Sequence, residues 1–324
     1  MSATVIDGKA IAARVEEEVR AEVERLRAAG VAPRLDLVAF GDDPAFASYA
    51  KGRRDACARV GISSEEHVVA EGGVAGSGPG RGRAGGADRT RDAARALRSL
   101  SDAPDVDGIL IQMPLPAGLD ERVILAALDP AKDVDGVHPE NLGRLYLGAP
   151  RFVPCTAAAV ARILEEERVE TAGRHAVVVG RSVVVGRAVA LLLLEKGARG
   201  DATVTVCHSR TPDLVAHMRR AEILVAAIGR PGAIRGEMLR AGVVAIDVGT
   251  SSVPDAGARR GYRIAGDLDF PSVAEVASRV TPVPGGVGPV TVAMLLSNTV
   301  RAACRRAPTD SARAPSSTSR GGPA

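Results

Sequence analysis

The chain has 324 residues, a length that suits about two domains. Hydrophobic residues make up 46% of it but aromatics only 2%, so its cores must be built from Ala, Val, Leu and Ile. A net charge of +3, with basic and acidic residues interspersed, argues against a nucleic-acid binder driven by bulk electrostatics.

The N-terminal segment MSATVIDGKAIAARVEEEV is charged within a few residues and lacks the apolar core of a signal peptide. Residues 9–29 place Ile11, Val15, Val19, Val23 and Leu26 at helical spacing and end at Gly30, which predicts a helix closed by a C-cap glycine. RLDLVAFG (34–41) reads as a buried strand. DDPAFASYAKGRRDACARVG (42–61) reads as a helix, with Asp43 and Pro44 as start signals and Gly61 as the stop. SSEEHVVA (63–70) is a second strand. Residues 71–90, EGGVAGSGPGRGRAGGADRT, are glycine-rich and contain no GK[ST], so they read as a surface linker rather than a phosphate-cradling loop.

TRDAARALRSLSDA (90–103) is a helix, VDGILIQMPLP (106–116) a buried strand running into a proline turn, and ERVILAALDP (121–130) a further helix. The second half repeats the alternation. Its apolar runs are RHAVVVGR (174–181), DATVTVCHS (201–209), AEILVAAIG (221–229) and GVVAIDVG (242–249), with helical stretches such as 187–196 and 212–220 between them. Alternating strands and helices predict an α/β protein with two α/β domains and mostly parallel sheets. The last eighteen residues, 307–324, lack apolar anchors and read as a disordered tail. No stretch reads as long and apolar enough to span a membrane. Cys57, Cys155, Cys207 and Cys304 are far apart and form no CxxC pair, which suits a reducing cytoplasm and argues against a disulfide framework or zinc. His67, His175, His208 and His217 show no metal spacing and read as surface or capping residues, so no metal is expected.

VVVGRSVVVGRAVALLLLEKG (177–197) is strand, glycine turn, helix, a context that suits a pyrophosphate at the helix N-terminus. The spacing is Gly180, five residues, Gly186, not GxGxxG, and a purely structural tight turn remains the other reading. The next strand ends in CHSRT (207–211), with Ser209 and Arg210 and no carboxylate for a ribose diol. With Arg181 beside the first glycine, these groups suit a 2′-phosphate and predict NADP over NAD.

Several motifs then converge. DGKAIA (7–12), DGILIQMPLP (107–116), KDVDGVHPENLGRL (132–145), PCT (154–156), VVVGRSVVVGR (177–187) and TPVPGGVGPVTVAML (281–295) make the chain resemble the bifunctional methylenetetrahydrofolate dehydrogenase/cyclohydrolase family over roughly residues 4–305. The resemblance implies oxidation of 5,10-methylenetetrahydrofolate to the methenyl form, then hydrolysis to 10-formyltetrahydrofolate. It implies a homodimer acting on tetrahydrofolate derivatives, with no nucleic-acid or membrane partner. It also implies a folate-binding catalytic domain over 1–150, a Rossmann-like NADP domain over 151–288, and a C-terminal helix, 289–306, that returns to the first domain.

Residue by residue, the resemblance has Tyr49 stacking on the folate, Gln112 hydrogen-bonding near the reacting carbon, and Asp135 binding the pterin. Pro284, Gly285 and Gly286 lie near nicotinamide and folate; Gly180, Arg181, Ser182, Val185 and Gly186 line the pyrophosphate turn; Ser209 contacts the 2′-phosphate. Read alone, Tyr49 is an ordinary core aromatic, and Gln112 and Asp135 are strand-end and turn residues. His138 receives no role.

The sequence departs from the family at one charged position. The family pattern is Tyr, three residues, Lys. Residues i and i+4 share a helix face, and four after Tyr49 stands Arg53. Lys51 lies about 200° around the helix from Tyr49. A buried lysine can shuttle a proton, whereas arginine stays charged at any working pH. Cyclohydrolase chemistry needs general acid/base work, and hydride transfer mainly needs positioning. The expectation is a dehydrogenase with an impaired cyclohydrolase step. The alternatives are a fully bifunctional enzyme and a catalytically silent folate- or NADP-binding paralogue. Lesser departures are PCTAAA for PCTPxG, Ala188 for a proline, and Ser251 for an asparagine.

Overall fold

The computed structural model describes residues 3–41, 44–69, 86–197, 199–258 and 261–307, with backbone only for 44–49 and 86–88. In chain order the elements are β1 (Thr4–Val5), α1 (Gly8–Ala28), β2 (Arg34–Phe40), α2 (Pro44–Val60), β3 (Ser63–Val69), α3 (Gly86–Asp102), β4 (Gly108–Ile111), α4 (Glu121–Leu125), α5 (Pro139–Tyr146) and α6 (Cys155–Glu166). They continue with β5 (His175–Val179), a π-turn (Val183–Arg187), α7 (Ala188–Leu194), β6 (Thr203–Cys207), α8 (Leu214–Met218), β7 (Ile223–Ala226), β8 (Val244–Asp247), β9 (Ser251–Pro254), β10 (Tyr262–Ala265), α9 (Phe270–Val276), β11 (Arg279–Val280) and α10 (Val287–Ala303).

Two parallel sheets organise the chain. The first has the order β3-β2-β4, the second β1-β11-β8-β7-β5-β6; β9 and β10 pair separately as an antiparallel hairpin. The α/β alternation expected from the sequence is therefore present in both halves. The inner strands of the second sheet are short apolar runs such as Val177–Val179 and Ile223–Ala226, buried on both faces, whereas the edge strands β1 and β6 are partly exposed. The helix that follows the glycine-rich segment begins at Gly86, so 86–90, expected to be linker, are helical. The rest of that segment, residues 71–85, lies outside the described residues, as do Asp43 and 308–324.

The chain ends cross between the halves. β1 pairs with β11 and so joins the second sheet, although it precedes the first in sequence. Asp7 then caps α1, its carboxylate accepting from the amides of Lys9 (3.0 Å) and Ala10 (3.1 Å). The stripe Ile11, Val15, Val19, Val23 and Leu26 is buried, and α1 packs along α10. Residues 287–306 form a helix long and apolar enough to cross a membrane by length and composition, against the sequence expectation. It is a core helix, packed between α1 and α6. Asn298 on α10 donates to the carbonyls of Val134 (2.8 Å) and Val153 (3.2 Å), and Arg306 holds the buried Asp107 carboxylate with two contacts of 2.6 Å.

Where β1 becomes α1, backbone meets backbone. A Cβ at Gly8 would stand 1.9 Å from the Gly286 carbonyl oxygen and 2.7 Å from that of Gly285. Glycine in a helix ordinarily costs about 1 kcal/mol relative to alanine. Here the sign reverses, because the added methyl has only main chain to displace. Gly8→Ala is expected to destabilise the protein by about 1–3 kcal/mol, read from the urea midpoint. An unchanged or higher midpoint would contradict the packing.

Candidate active site

The first sheet delivers its loops to one edge. β4 runs parallel to β2, with Val38 opposite Ile111, so Gln112 emerges at the carboxyl end of the sheet, where α/β proteins place ligands. The Gln112 amide donates to the Val38 carbonyl (2.7 Å) and its side-chain Nε2 to the Met113 carbonyl (3.3 Å). Its Oε1 is buried with no hydrogen-bond partner among the described residues. An unpaired buried acceptor costs about 1–3 kcal/mol, so this atom fits a donor that the protein does not itself supply.

The KDVDG segment carries two aspartates with different work. Asp133 is fully buried. It accepts from the amides of Val137 (3.1 Å) and His138 (2.8 Å) and from the Asn141 side chain (2.7 Å), and so fixes the turn into α5. His138, left without a role from sequence, caps α5 by accepting from the Glu140 amide (3.0 Å). Asp135 is half-buried. Burial, with the nearby Asp133 carboxylate, raises its pKa to about 6, against the lowering effect of Cys155 and of the Arg53 guanidinium. A Cβ at Gly136 (φ 73°) would meet the Pro154 nitrogen at 2.7 Å, so the turn after Asp135 lies directly on the PCT segment. Cys155 donates its thiol to the Val134 carbonyl (3.3 Å), and burial pushes that thiol well above its ordinary range.

On α2 the basic residues separate. Lys51 is 65% exposed and pairs with Asp55 at 2.6 Å, four residues on, and Arg54 pairs with Glu66 at 2.7 Å. Arg53 is half-buried and acts electrostatically on Asp135. The structure thus brings Arg53 and Asp135 together and turns Lys51 to solvent. Tyr49 lies on α2; its side chain is outside the described residues.

At the second sheet, Gly180 (φ 136°) ends β5 and Gly186 closes the π-turn before α7. A Cβ at Gly180 would lie 2.1 Å from the Ala227 oxygen, and one at Gly186 2.2 Å from the Gly180 oxygen. Both positions therefore require glycine, and the tight strand–turn–helix junction they allow is of the kind that suits a dinucleotide site. Ser182 accepts from the Gly186 amide (3.3 Å), Arg181 is exposed and Val185 half-buried. Ser209 and Arg210 are exposed at the end of the adjacent β6. Pro284, Gly285 and Gly286 follow β11, with Gly286 buried against Gly8. A separate apolar concavity of about 260 Å³ between α6 and α7, lined by Val160, Leu164, Val189 and Leu193, contains none of these residues.

One of the sequence assignments changes, and two residues were missed. His67 is not a plain surface group: its Nε2 lies 2.7 Å from the buried Asp36 carboxylate. Asp36, Glu65 and His67 come close enough to hold a cation, but Arg34 already grips Asp36 at 2.8 and 2.9 Å and Glu65 at 2.8 Å, supplying the positive charge. Asp247 and Asp267, missed from sequence, are both buried at the cofactor-side edge. Their signal was a carboxylate at each of two short turns, IDVG and GDLD, which also reads as ordinary turn chemistry.

Residues 154–307 match the NAD(P)-binding domain of the tetrahydrofolate dehydrogenase/cyclohydrolase family, and residues 6–75 and 84–135 match its catalytic domain. The chain is 46% identical over 299 residues to the bifunctional protein FolD of Desulfovibrio desulfuricans, a match covering 92% of this chain and 97% of that one. Among solved structures, the Trypanosoma brucei methylenetetrahydrofolate dehydrogenase-cyclohydrolase complexed with NADP cofactor and inhibitor has a TM-score of 0.84 at 36% identity, covering 97% of this chain and 100% of that one. The Campylobacter jejuni enzyme has a TM-score of 0.83 at 36% identity, covering 94% and 100%. The chain belongs to the tetrahydrofolate dehydrogenase/cyclohydrolase family.

Proposed function

We propose that this protein is an NADP-dependent methylenetetrahydrofolate dehydrogenase whose cyclohydrolase step is impaired by Arg53. The single observation that carries the impairment is the placement of charge on α2. The Arg53 guanidinium acts on the Asp135 carboxyl, and Lys51, two residues before Arg53 on α2, is committed to Asp55 on the solvent side.

Oxidation breaks one C–H bond of the methylene bridge, and the adjacent nitrogen lone pair forms the C=N bond of the methenyl product. Bound NADP supplies the acceptor for the departing hydride. No protein base is needed at that carbon, so the chain's residues contribute binding and orientation. In this reading Asp135 accepts hydrogen bonds from the N–H groups of the pterin, Tyr49 stacks on the folate, and the free Gln112 Oε1 faces the reacting region. Gly180, Arg181, Ser182, Val185 and Gly186 hold the pyrophosphate, Ser209 and Arg210 the 2′-phosphate, and the Pro284–Gly286 turn admits nicotinamide and folate at close range.

Hydrolysis is more demanding. Water must lose a proton as it attacks the methenyl carbon, and a ring nitrogen must gain one as the ring opens. A guanidinium donates hydrogen bonds and holds charge but cannot take the proton. The names of the bifunctional relatives favour a second reading, in which Arg53 orients water well enough for both steps. In either case the protein is read as a homodimer in the cytoplasm, with residues 1–150 and α10 forming the folate half and 151–288 the NADP half. The free thiols of Cys57, Cys155, Cys207 and Cys304 are compatible with a reducing compartment.

Arg53→Lys distinguishes the two readings. General acid/base groups contribute about 10²–10⁴-fold. The variant should therefore raise methenyl hydrolysis by at least about tenfold while methylene oxidation changes little. Equal hydrolysis in variant and parent would remove Arg53 as the cause.

The raised pKa of Asp135 gives a second test. An unfolded aspartate titrates near 3.9, and this one titrates at about 6. Between those values the folded protein holds a proton that the unfolded chain has released. The group's contribution to stability is therefore greatest at low pH and is lost as pH rises through about 6. Folate binding has the opposite sign, because the carboxylate is the acceptor: the Kd for tetrahydrofolate should rise as pH falls through about 6. Asp135→Asn should bind weakly and lose that dependence. A wild-type binding curve flat between pH 5 and 7 would contradict the assignment.

A further inference from the structure

The loop after β7, Ala227–Arg230, is held by a carboxylate that no sequence motif assigned. Asp267 is fully buried. Its Oδ2 accepts from the amides of Ile228 (2.6 Å) and Gly229 (3.1 Å), and its Oδ1 from that of Arg230 (2.6 Å). Asp267 is itself fixed from β8. Asp247 at the end of that strand accepts from the amides of Asp267 (2.9 Å), Leu268 (2.9 Å) and Gly249 (2.9 Å). The loop thus hangs on two successive buried carboxylates.

Peptide planarity gives this a consequence. In a trans peptide the N–H of one residue points opposite to the C=O of the residue before it. With the three amides of 228–230 gathered on Asp267, the carbonyls of Ala227, Ile228 and Gly229 must face the other way. One of them can be located: the Ala227 oxygen lies 2.1 Å from where a Gly180 Cβ would be, on the glycine cradle at the end of β5. No described backbone or side-chain donor outside regular strands and helices is bonded to any of the three oxygens.

The strand order β11-β8-β7-β5-β6 then sets out the crevice in sequence. Ser209 and Arg210 stand at the end of β6 and the Gly180 turn at the end of β5. The carbonyl row stands at β7, about 10 Å from β6 at two strand spacings, and the Pro284–Gly286 turn follows β11. Amides pointing into a crevice would attract phosphate; a row of carbonyls repels it and accepts from O–H and N–H groups.

We infer that Asp267 is a positioning residue for the cofactor: by collecting the amides of Ile228–Arg230 it turns the carbonyls of Ala227–Gly229 toward the hydroxyl and carboxamide donors of the nicotinamide riboside half. The anionic half is thereby confined to the Gly180–Gly186 turn, and the dinucleotide has one direction of entry. This rests on the NADP reading above, which turnover of the unaltered enzyme with NADP tests separately.

The test compares Asp267→Asn with the parent for NADP and for methylenetetrahydrofolate. Asparagine keeps the shape but presents an N–H₂ to at least one backbone N–H. The NADP KM should rise by at least about tenfold, with the folate KM within about twofold and circular dichroism unchanged. Asp247→Asn should shift the NADP KM in the same direction by less. An NADP KM within twofold of the parent in a folded Asp267→Asn, or an equal rise in both KM values, would overturn the inference. Amide exchange on the unaltered, cofactor-free protein covers the case of a variant that does not fold. The Ile228, Gly229 and Arg230 amides should already be protected there. Protection that appears only when NADP is added would mean that these amides bind the cofactor, and the inference would be wrong.

Discussion

The structure depends on a contact in which two stretches of main chain meet with no side chain between them. Gly8 opens α1, Gly286 precedes α10, and a Cβ at Gly8 would run into the Gly285–Gly286 main chain, while one at Gly286 would run into Thr281 and Pro282. This contact is possible because β1 crosses to the second sheet before α1 returns along α10. It holds the Gly285–Gly286 main chain against the start of α1. Asn298 and Arg306, near the end of α10, lock onto Val134 and Asp107, on either side of β4. The two sheets are therefore tied together by main-chain packing at Gly8 and by the side-chain bonds of Asn298 and Arg306.

Within that frame, charge is placed with little redundancy. Three buried carboxylates are taken up by backbone amides: Asp133 shapes the turn before α5, and Asp247 and Asp267 shape the loop after β7. Asp135 is set instead by burial, which raises its pKa to about 6, with Cys155 and the Arg53 guanidinium acting against the rise. A lysine there could exchange protons with solvent or substrate. Arg53 supplies the same charge with no means of releasing it. The two activities of the family differ in whether they need that release, so a single side chain can separate them without disturbing the fold.

Much of this was legible in the sequence, for physical reasons. The i, i+4 spacing from Ile11 to Val23 could only be a buried helix face, and the short Val/Ile/Ala runs of the second half could only be doubly covered strands. Gly180 and Gly186 announced a close backbone approach, and helical spacing on α2 separated the exposed Lys51 from Arg53. Other features depended on pairings far apart in the chain. β1 and β11 are two residues each and carry no periodicity; only their mutual pairing makes them strands. The start of α3 at Gly86 was hidden because glycine composition argues against a helix there. α10 is apolar enough to imitate a membrane span, and only its neighbours α1 and α6 show it to be a core helix. Asp267 looks like a turn residue until its partners, some 37–39 positions earlier, are known.

The central claim, that Arg53 leaves hydride transfer intact and withdraws the proton transfer that hydrolysis needs, is tested most directly on the unaltered protein. Methylenetetrahydrofolate and NADP are supplied together, and methenyl and 10-formyl products are resolved over time beside an enzyme-free sample of the same methenyl concentration. The account predicts that methenyltetrahydrofolate accumulates and then decays no faster than in the enzyme-free sample. Formation of 10-formyltetrahydrofolate well above that background would show that a guanidinium suffices at this position, and would contradict it.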